Sequence, residues 1–199
     1  MITQAPRGVQ DWYGEEMHKR TLVEKIARYL AKTYHSSEII TPMFEHTVLF
    51  QRGVGETTDV VQKEMYTFMD KGNRSITLRP EGTAGTVRSY IENKLFAKTI
   101  QPQKLYYVGP MFRYERPQNG RQRQFHQFGV EMIGYESPYL DVECMTMAVT
   151  LVEALGLKGV KLHINTLGDE QSREAYRNAL KEHFAPYLDE LCSAFDTER

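Results

Sequence analysis

The hydrophobic and polar positions of the chain change their period several times, and each change predicts a different element. Apolar side chains recur at helical spacing between Glu15 and Tyr34, which predicts an amphipathic helix. The stretches 66–69 and 75–78 are rich in aromatic and β-branched residues, and the turn-forming run Asp70-Lys71-Gly72-Asn73 lies between them. These two stretches therefore predict a β-hairpin.

A second, longer hairpin is predicted further along. Residues 104–114 and 124–135 are rich in Tyr, Phe, Val, Ile and Met, with the alternation expected of paired strands. Between them, Pro117, Asn119 and Gly120 are typical of a long turn. Helices are predicted over 83–93, 139–155 and 170–184, and a short strand over 160–164. Hairpin-connected strands flanked by helices indicate an α+β domain with an antiparallel sheet, not a Rossmann fold.

The long hairpin concentrates positive charge. An arginine side chain can bind phosphate oxygens through two parallel hydrogen bonds. The four arginines of the hairpin therefore predict a clamp for a polyphosphate or a nucleic-acid backbone. The alternative is a set of solvated surface charges. Arg113 favours a site, because it is predicted to lie inside a strand between Phe112 and Tyr114, where an unpaired guanidinium would be costly to desolvate. The four arginines are Arg113, Arg116, Arg121 and Arg123.

The returning strand of the hairpin carries polar residues at a spacing of two. Residues two apart point to the same face of a strand, so Gln127 and Glu131 are predicted to face the same way, with Gly129 leaving space between them. A small polar ligand is expected there.

Composition excludes several classes of protein. The 199 residues have a net charge of −1, which excludes a generally basic nucleic-acid coat and argues against a general RNA-binding module. Cys144 and Cys192 form no C-x-x-C pair and the histidines lack metal-site spacing, so neither a zinc site nor a disulfide scaffold is expected. No P-loop and no complete dinucleotide fingerprint is found. No secretion signal or membrane span is found either, which predicts a cytoplasmic protein.

Five sequence blocks resemble those of a known family. The pattern F-R-x-E-R at 112–116, followed by R-Q-F-H-Q-x-G-x-E at 123–131, resembles the second signature motif of class II aminoacyl-tRNA synthetases in its histidyl-tRNA synthetase form. Residues 7–11 resemble the family's R-G-T-Q-D loop, with Val9 in place of the usual Thr. Residues 38–45 resemble the first signature motif, a strand that ends at Pro42 at a dimer interface. Residues 52–56 and 77–83 are also similar to family segments.

The resemblance implies a partial class II catalytic domain over residues 1–199. A third signature motif and an anticodon-binding domain, which follow in the family, are not found, so we expect a fragment that is weak or inactive alone. The family activates histidine with ATP to histidyl-adenylate and then transfers it to tRNA(His). The nucleophile belongs to the substrate, so the protein needs only to align anions and neutralise charge at phosphorus.

By resemblance, each candidate residue has an expected role. Arg113 is expected to hold the α-phosphate and the substrate carboxylate. ATP is further expected to meet Arg121 at its outer phosphates, Phe125 at the adenine ring and Glu115 at the adenine amino edge. Mg²⁺ is expected to bind through the ATP phosphates, with no metal site on the protein itself.

The amino acid is expected beside the start of the helix at 83–93. By resemblance, Glu81 pairs with the ammonium group, and Gly82 and Thr83 lie beside the reacting carboxylate. Gln127 and Glu131 bind the imidazole, with Glu131 accepting from a ring N–H. For Glu81 and Thr83 the alternative is ordinary capping of the helix.

The tRNA acceptor end is expected at the hairpin tip and the N-terminal loop. The residues expected there are Arg7, Gln10, Gln118 and Arg123, and the alternative is a solvated loop. A rival to the whole assignment is the regulatory paralogue that partners ATP phosphoribosyltransferase in histidine biosynthesis. It shares the fold without aminoacylating, and it has no need for the full arginine-rich hairpin.

Overall fold

The computed structural model describes residues 3–54, 63–166 and 168–190, and the chain divides into two compact units. The first unit, Met1–Val160, contains both β-sheets and most of the helices. The second unit, Lys161–Arg199, contains helix α5, Glu170–Phe184, and a 3-10 turn at Ala185–Glu190. The predicted α+β class is confirmed for the first unit.

The described residues of the first unit form four α-helices and six strands. The helices are α1 (Gly14–Thr33), α2 (Thr47–Val54), α3 (Thr83–Glu92) and α4 (Pro138–Ala154), with a 3-10 turn at Leu95–Ala97. The strands are β1 (Ser37–Glu38), β2 (Phe44–His46), β3 (Thr67–Met69), β4 (Ser75–Leu78), β5 (Gln103–Phe112) and β6 (Gln124–Ile133). Among the described residues, no helix is long and apolar enough to cross a membrane.

The strands form two three-stranded sheets. The first has the order β1-β5-β6, in which β1 runs parallel to β5, and β5 pairs antiparallel with β6 from Gln103–Ile133 to Phe112–Gln124. The second has the order β2-β4-β3 and is antiparallel throughout. The two hairpins predicted from sequence are therefore confirmed.

Three predicted features differ in detail or are wrong. The strand predicted at 160–164 is not formed, because an extended segment becomes a strand only when its backbone pairs, and these residues have no ladder partner in the described chain. The first-motif strand stops at Glu38, well before Pro42, because the chain leaves the first sheet there to begin β2 of the second at Phe44. Arg113 follows β5 instead of lying inside it.

One face of the first sheet packs against helices. Ala27, Leu30 and Ala31 of α1 are buried, as are Tyr106 of β5 and Met147 of α4. The Tyr106 hydroxyl donates to Glu38 Oε2 at 3.0 Å, so its buried polar end is satisfied. The opposite face of this sheet is therefore the one left for a site.

Arg79 joins the two sheets. Its backbone N–H donates to Met43 O at 2.9 Å, and its carbonyl accepts from Phe112 N at 3.0 Å. Its side chain is 7% exposed; Nε donates to Pro110 O at 2.8 Å and Nη1 to Thr41 O at 2.9 Å. Burial lowers the pKa of this guanidinium, and no carboxylate of the described residues pairs with it. Carbonyl oxygens thus hold a charged group at the junction.

Replacing Arg79 with Met is expected to lower the free energy of unfolding by about 2 to 4 kcal/mol, because two buried carbonyls lose their donor. Urea unfolding followed by circular dichroism measures the change. Arg74→Met is the matched control, since Arg74 is an exposed arginine whose ion pair with Asp70 lies on the surface of the neighbouring hairpin. A surface pair contributes about 0 to 1 kcal/mol. Equal losses in the two variants would contradict the junction role of Arg79.

Candidate active site

A tyrosine ring between two glycines forms the floor of the candidate site. Tyr107 of β5 lies opposite Gly129 of β6 in the antiparallel register, and its side chain is 6% exposed. A Cβ atom on either Gly129 or Gly82 would overlap the Tyr107 ring. Both glycines are therefore required by close approach of the ring and not by an unusual φ angle.

Glu131 is the half-buried carboxylate of this face. Its Oε1 accepts from Thr83 Oγ1 at 2.7 Å and from the Tyr107 hydroxyl at 3.3 Å. Burial raises the pKa of Glu131, as does the neighbouring charge of Glu81, while the two hydroxyl donors act in the opposite direction. Burial also raises the pKa of Tyr107 to about 12, so its hydroxyl keeps its proton and remains a donor.

Glu81 caps helix α3. Its Oε2 accepts from the Thr83 N–H at 2.5 Å and its Oε1 from the Ala84 N–H at 2.9 Å. A carboxylate at a helix N-terminus satisfies free N–H groups and complements the helix dipole. Glu81 therefore caps α3, and its contact with the ammonium group of the amino acid stays a prediction. The Thr83 hydroxyl does not cap the helix but donates across to Glu131.

Gln127 lies on β6 two residues from Gly129 and four from Glu131, so strand alternation places the three on one face. Its Oε1 is buried and receives no hydrogen bond from the described residues. Buried polar atoms are nearly always paired, so a buried amide oxygen without a donor is a place where a ligand donor is expected.

Arg113 occupies the opposite end of the site. Its N–H still donates to Arg123 O at 2.9 Å, so the hairpin pairing continues past the end of β5. Its Nε donates to Pro80 O at 2.8 Å, next to Glu81, and its guanidinium lies 5.2 Å from the centre of the Phe125 ring. The expected contact of Phe125 with adenine would therefore have to share that ring with Arg113.

Glu115 lies between two arginines. Its Oε1 is 3.8 Å from Arg113 Nη1, and its Oε2 is 3.6 Å from Arg121 Nη1. The Arg121 side chain is 66% exposed, whereas Glu115 is largely buried. Glu115 is the acidic partner of Arg113 in the described chain, and an incoming phosphate would compete with it for both guanidinium groups.

The four residues expected to contact the tRNA acceptor end differ in their surroundings. Gln118 and Arg121 pair backbone to backbone around a tight turn, and Gln118 is exposed, as are Arg7 and Gln10. Arg123 differs, because its guanidinium lies 3.9 Å from the Tyr114 ring centre and its backbone N–H donates to Gly8 O at 2.7 Å. The solvated-loop alternative therefore fits Gln118, Arg7 and Gln10. It does not fit Arg123, because this residue connects the N-terminal loop to the hairpin.

Sequence reasoning missed Tyr107 and the structural role of Arg79. A usable signal for Tyr107 was the pair of glycines, Gly82 and Gly129, in segments that were already candidates. Both positions require glycine because the same Tyr107 ring lies against them, and this is visible only once β5 and β6 are in register. Among the described residues, no cluster of three or more His, Cys, Asp or Glu side chains is placed to hold a metal ion.

Comparison with known proteins agrees with the family resemblance. A family model described as histidyl-tRNA synthetase matches residues 8–193. The histidine–tRNA ligase of Bacillus subtilis is 60% identical over 188 residues, covering 94% of this chain and 44% of the relative. Histidine–tRNA ligase 1 of Shouchella clausii is 57% identical over 193 residues, covering 97% of this chain and 45% of the relative. The chain thus spans less than half the length of these relatives.

Solved structures show the same fold. The crystal structure of apo histidyl-tRNA synthetase from S. aureus matches 97% of this chain and 45% of its own, with 48% identity and a TM-score of 0.74. A Bacillus halodurans chain described as an ATP phosphoribosyltransferase regulatory subunit/histidyl-tRNA synthetase matches 79% of this chain and 39% of its own, with a TM-score of 0.68. Its 21% identity shows the fold alone. The ligase prediction is favoured over the regulatory alternative.

Replacing Gly129 with Ala is expected to destabilise the chain by about 1 to 3 kcal/mol, because the new methyl group overlaps the Tyr107 ring. Thermal or urea unfolding measures the loss. The control is a double-mutant cycle with Tyr107→Ala, in which the ring is absent and the Gly129→Ala penalty should largely disappear. A penalty that is equal in both backgrounds would show that Gly129 is needed for another reason.

Proposed function

This chain belongs to the histidyl-tRNA synthetase family, and on that premise we propose that it is part of a histidine–tRNA ligase. The proposed reaction activates histidine with ATP to histidyl-adenylate and pyrophosphate, and then transfers the histidyl group to tRNA(His). The chain contributes the second-motif half of this site. The activity is proposed for a whole ligase, of whose relatives this chain matches less than half the length.

The observation that carries the proposal is the pairing of a buried acceptor with a half-buried acid on one strand face. Gln127 Oε1 lacks a donor among the described residues, and Glu131 lies two side chains away on the same face. The imidazolium ring of histidine carries two N–H donors, so it can offer one to each acceptor, while its ammonium group is left for Glu81. A site built on such polar partners discriminates by roughly 10⁴ to 10⁵ against ligands that lack them.

ATP is proposed to bind along Arg113, Glu115, Arg121 and Phe125. A phosphate group that reaches the two arginines would replace Glu115 as their partner, which fits the loose 3.6 and 3.8 Å ion-pair distances of this triad. Mg²⁺ would be held by the phosphates. A histidine carboxylate oxygen attacks the α-phosphorus while the bond to the β-phosphate oxygen breaks, and pyrophosphate leaves. Arg113 would neutralise the charge that develops at the α-phosphate.

Amino-acid binding is proposed beside Glu81, Gly82 and Thr83. Glu81 already accepts two backbone N–H groups of α3, and a carboxylate retains capacity for the ligand ammonium group after two such bonds. Pro80 O holds Arg113 next to this carboxylate. The substrate carboxylate would therefore lie between the end of Arg113 and the start of α3.

The tRNA acceptor end is proposed to approach Arg7, Gln10 and Gln118, with Arg123 holding the loop that carries Arg7. A homodimer through the first-motif segment is also proposed, because Ile40, Met43 and Phe44 are exposed apolar residues there. The proposed compartment is the cytoplasm, where the substrates are found.

Histidine is expected to bind the chain, and Gln127→Ala and Glu131→Gln are each expected to weaken that binding by roughly 10- to 100-fold, since each removes a hydrogen-bond partner of a charged or polar ligand group. Isothermal titration calorimetry with L-histidine measures the constants. Gln124→Ala is the control, because Gln124 is an exposed glutamine of the same strand. Binding that survives unchanged in both site variants would contradict the proposed pocket.

Arg113→Ala is expected to weaken ATP binding by roughly 10- to 100-fold, because a charge-assisted contact to phosphate is lost. Titration with ATP in the presence of Mg²⁺ provides the measurement. Arg116→Ala serves as a matched control, since Arg116 is an exposed arginine of the same hairpin. If the two variants lost affinity equally, the hairpin would act through its general charge and not through the placement of Arg113.

A further inference from the structure

The two oxygens of the Glu131 carboxylate have different surroundings. Thr83 Oγ1 and the Tyr107 hydroxyl both donate to Oε1, at 2.7 and 3.3 Å. No donor from the described residues contacts Oε2. A carboxylate held by two donors on one oxygen presents its other oxygen in a defined direction.

Tyr107 and Thr83 belong to different elements and are held by different contacts. Its ring is confined by Gly82 on one side and Gly129 on the other, so the hydroxyl can move little relative to β5 and β6. Thr83 belongs to α3, which starts at that residue. Tyr107 therefore ties Glu131 to the sheet, whereas Thr83 ties it to the helix.

We propose that Tyr107 is a positioning residue for amino-acid recognition, because it fixes Glu131 through Oε1 and so makes Oε2 the oxygen that accepts the imidazole N–H of histidine. The inference rests on the proposed function for the identity of the ligand. It adds a residue outside the arginine and glutamine set, and Tyr107 acts through Glu131.

The groups around Glu131 determine whether loss of the Tyr107 hydroxyl raises or lowers the pKa of Glu131. From the α3 side, Glu81 adds negative charge, and across the sheet the charge of Glu131 reaches Cys144 of α4. The Tyr107 hydroxyl lowers the pKa of Glu131 against the effect of burial. Removing it removes support for the ionised form, so Glu131 should take up a proton at higher pH than in the unaltered chain.

The test is a carboxyl ¹³C NMR titration of the whole chain with labelled glutamate, in which Glu131→Gln identifies the Glu131 signal. Tyr107→Phe should move the Glu131 midpoint to higher pH. Tyr106→Phe is the matched control, because Tyr106 is the adjacent tyrosine and its hydroxyl donates to Glu38. That variant should leave the Glu131 midpoint where it was.

Replacing Tyr107 by 3-fluorotyrosine gives a second measurement that keeps the ring in its slot. The more acidic phenol is a stronger donor, so the Glu131 midpoint should move to lower pH, opposite to the Tyr107→Phe result. An unchanged Glu131 midpoint in both Tyr107 variants would overturn the proposal.

Histidine affinity separates this inference from the proposed function. The dissociation constant of L-histidine should rise about 10-fold in Tyr107→Phe. The rise should be larger at pH values below the Glu131 midpoint than at pH values above it. A pH-independent loss would indicate a structural role only and would overturn the positioning role. If the unaltered chain bound no histidine while the Glu131 midpoint still responded to Tyr107, the ligand assignment would fail and the Tyr107–Glu131 coupling would stand.

Discussion

The buried guanidinium of Arg79 is the interaction on which the rest of the first unit depends. It crosses from the end of β4 to carbonyl oxygens of Thr41 and Pro110, while its own backbone bonds to Met43 and Phe112. The two three-stranded sheets are thereby held together. A charged group satisfied by fixed carbonyls tolerates little displacement, because each lost contact leaves a buried polar atom unpaired.

The candidate site follows from this junction. Residues directly after Arg79 run into the start of α3, so the position of Glu81 and Thr83 relative to the long hairpin is set where the two sheets join. Tyr107 fills the space between α3 and β6, and the Thr83–Glu131 hydrogen bond closes it. The polar groups proposed to bind histidine therefore come from two elements held together by packing before any ligand arrives. Such preorganisation is what favours selective binding.

The anion-binding end of the site has a different character. Glu115 lies at long ion-pair distances from Arg113 and Arg121, so neither arginine is locked in a short bond with it. Arg113 is oriented instead by Pro80 O and the Phe125 ring. A guanidinium whose direction is fixed but whose charge is only loosely paired suits a triphosphate that must bind and then leave as two products. The rigid amino-acid end and this looser phosphate end fit the proposed two-substrate reaction.

The sequence by itself determined the two hairpins, the helices α1, α3, α4 and α5, the α+β class and the family, because hydrophobic period, turn residues and motif order are local properties of the chain. It also placed Gln127, Gly129 and Glu131 on one face, since alternation along a strand needs no partner. Only the tertiary structure decided that Arg79 joins the sheets, that Tyr107 supports Glu131, and that residues 160–164 form no strand. Those outcomes depend on register and contacts between distant segments, and a sequence pattern specifies which face a residue occupies but not what lies opposite it.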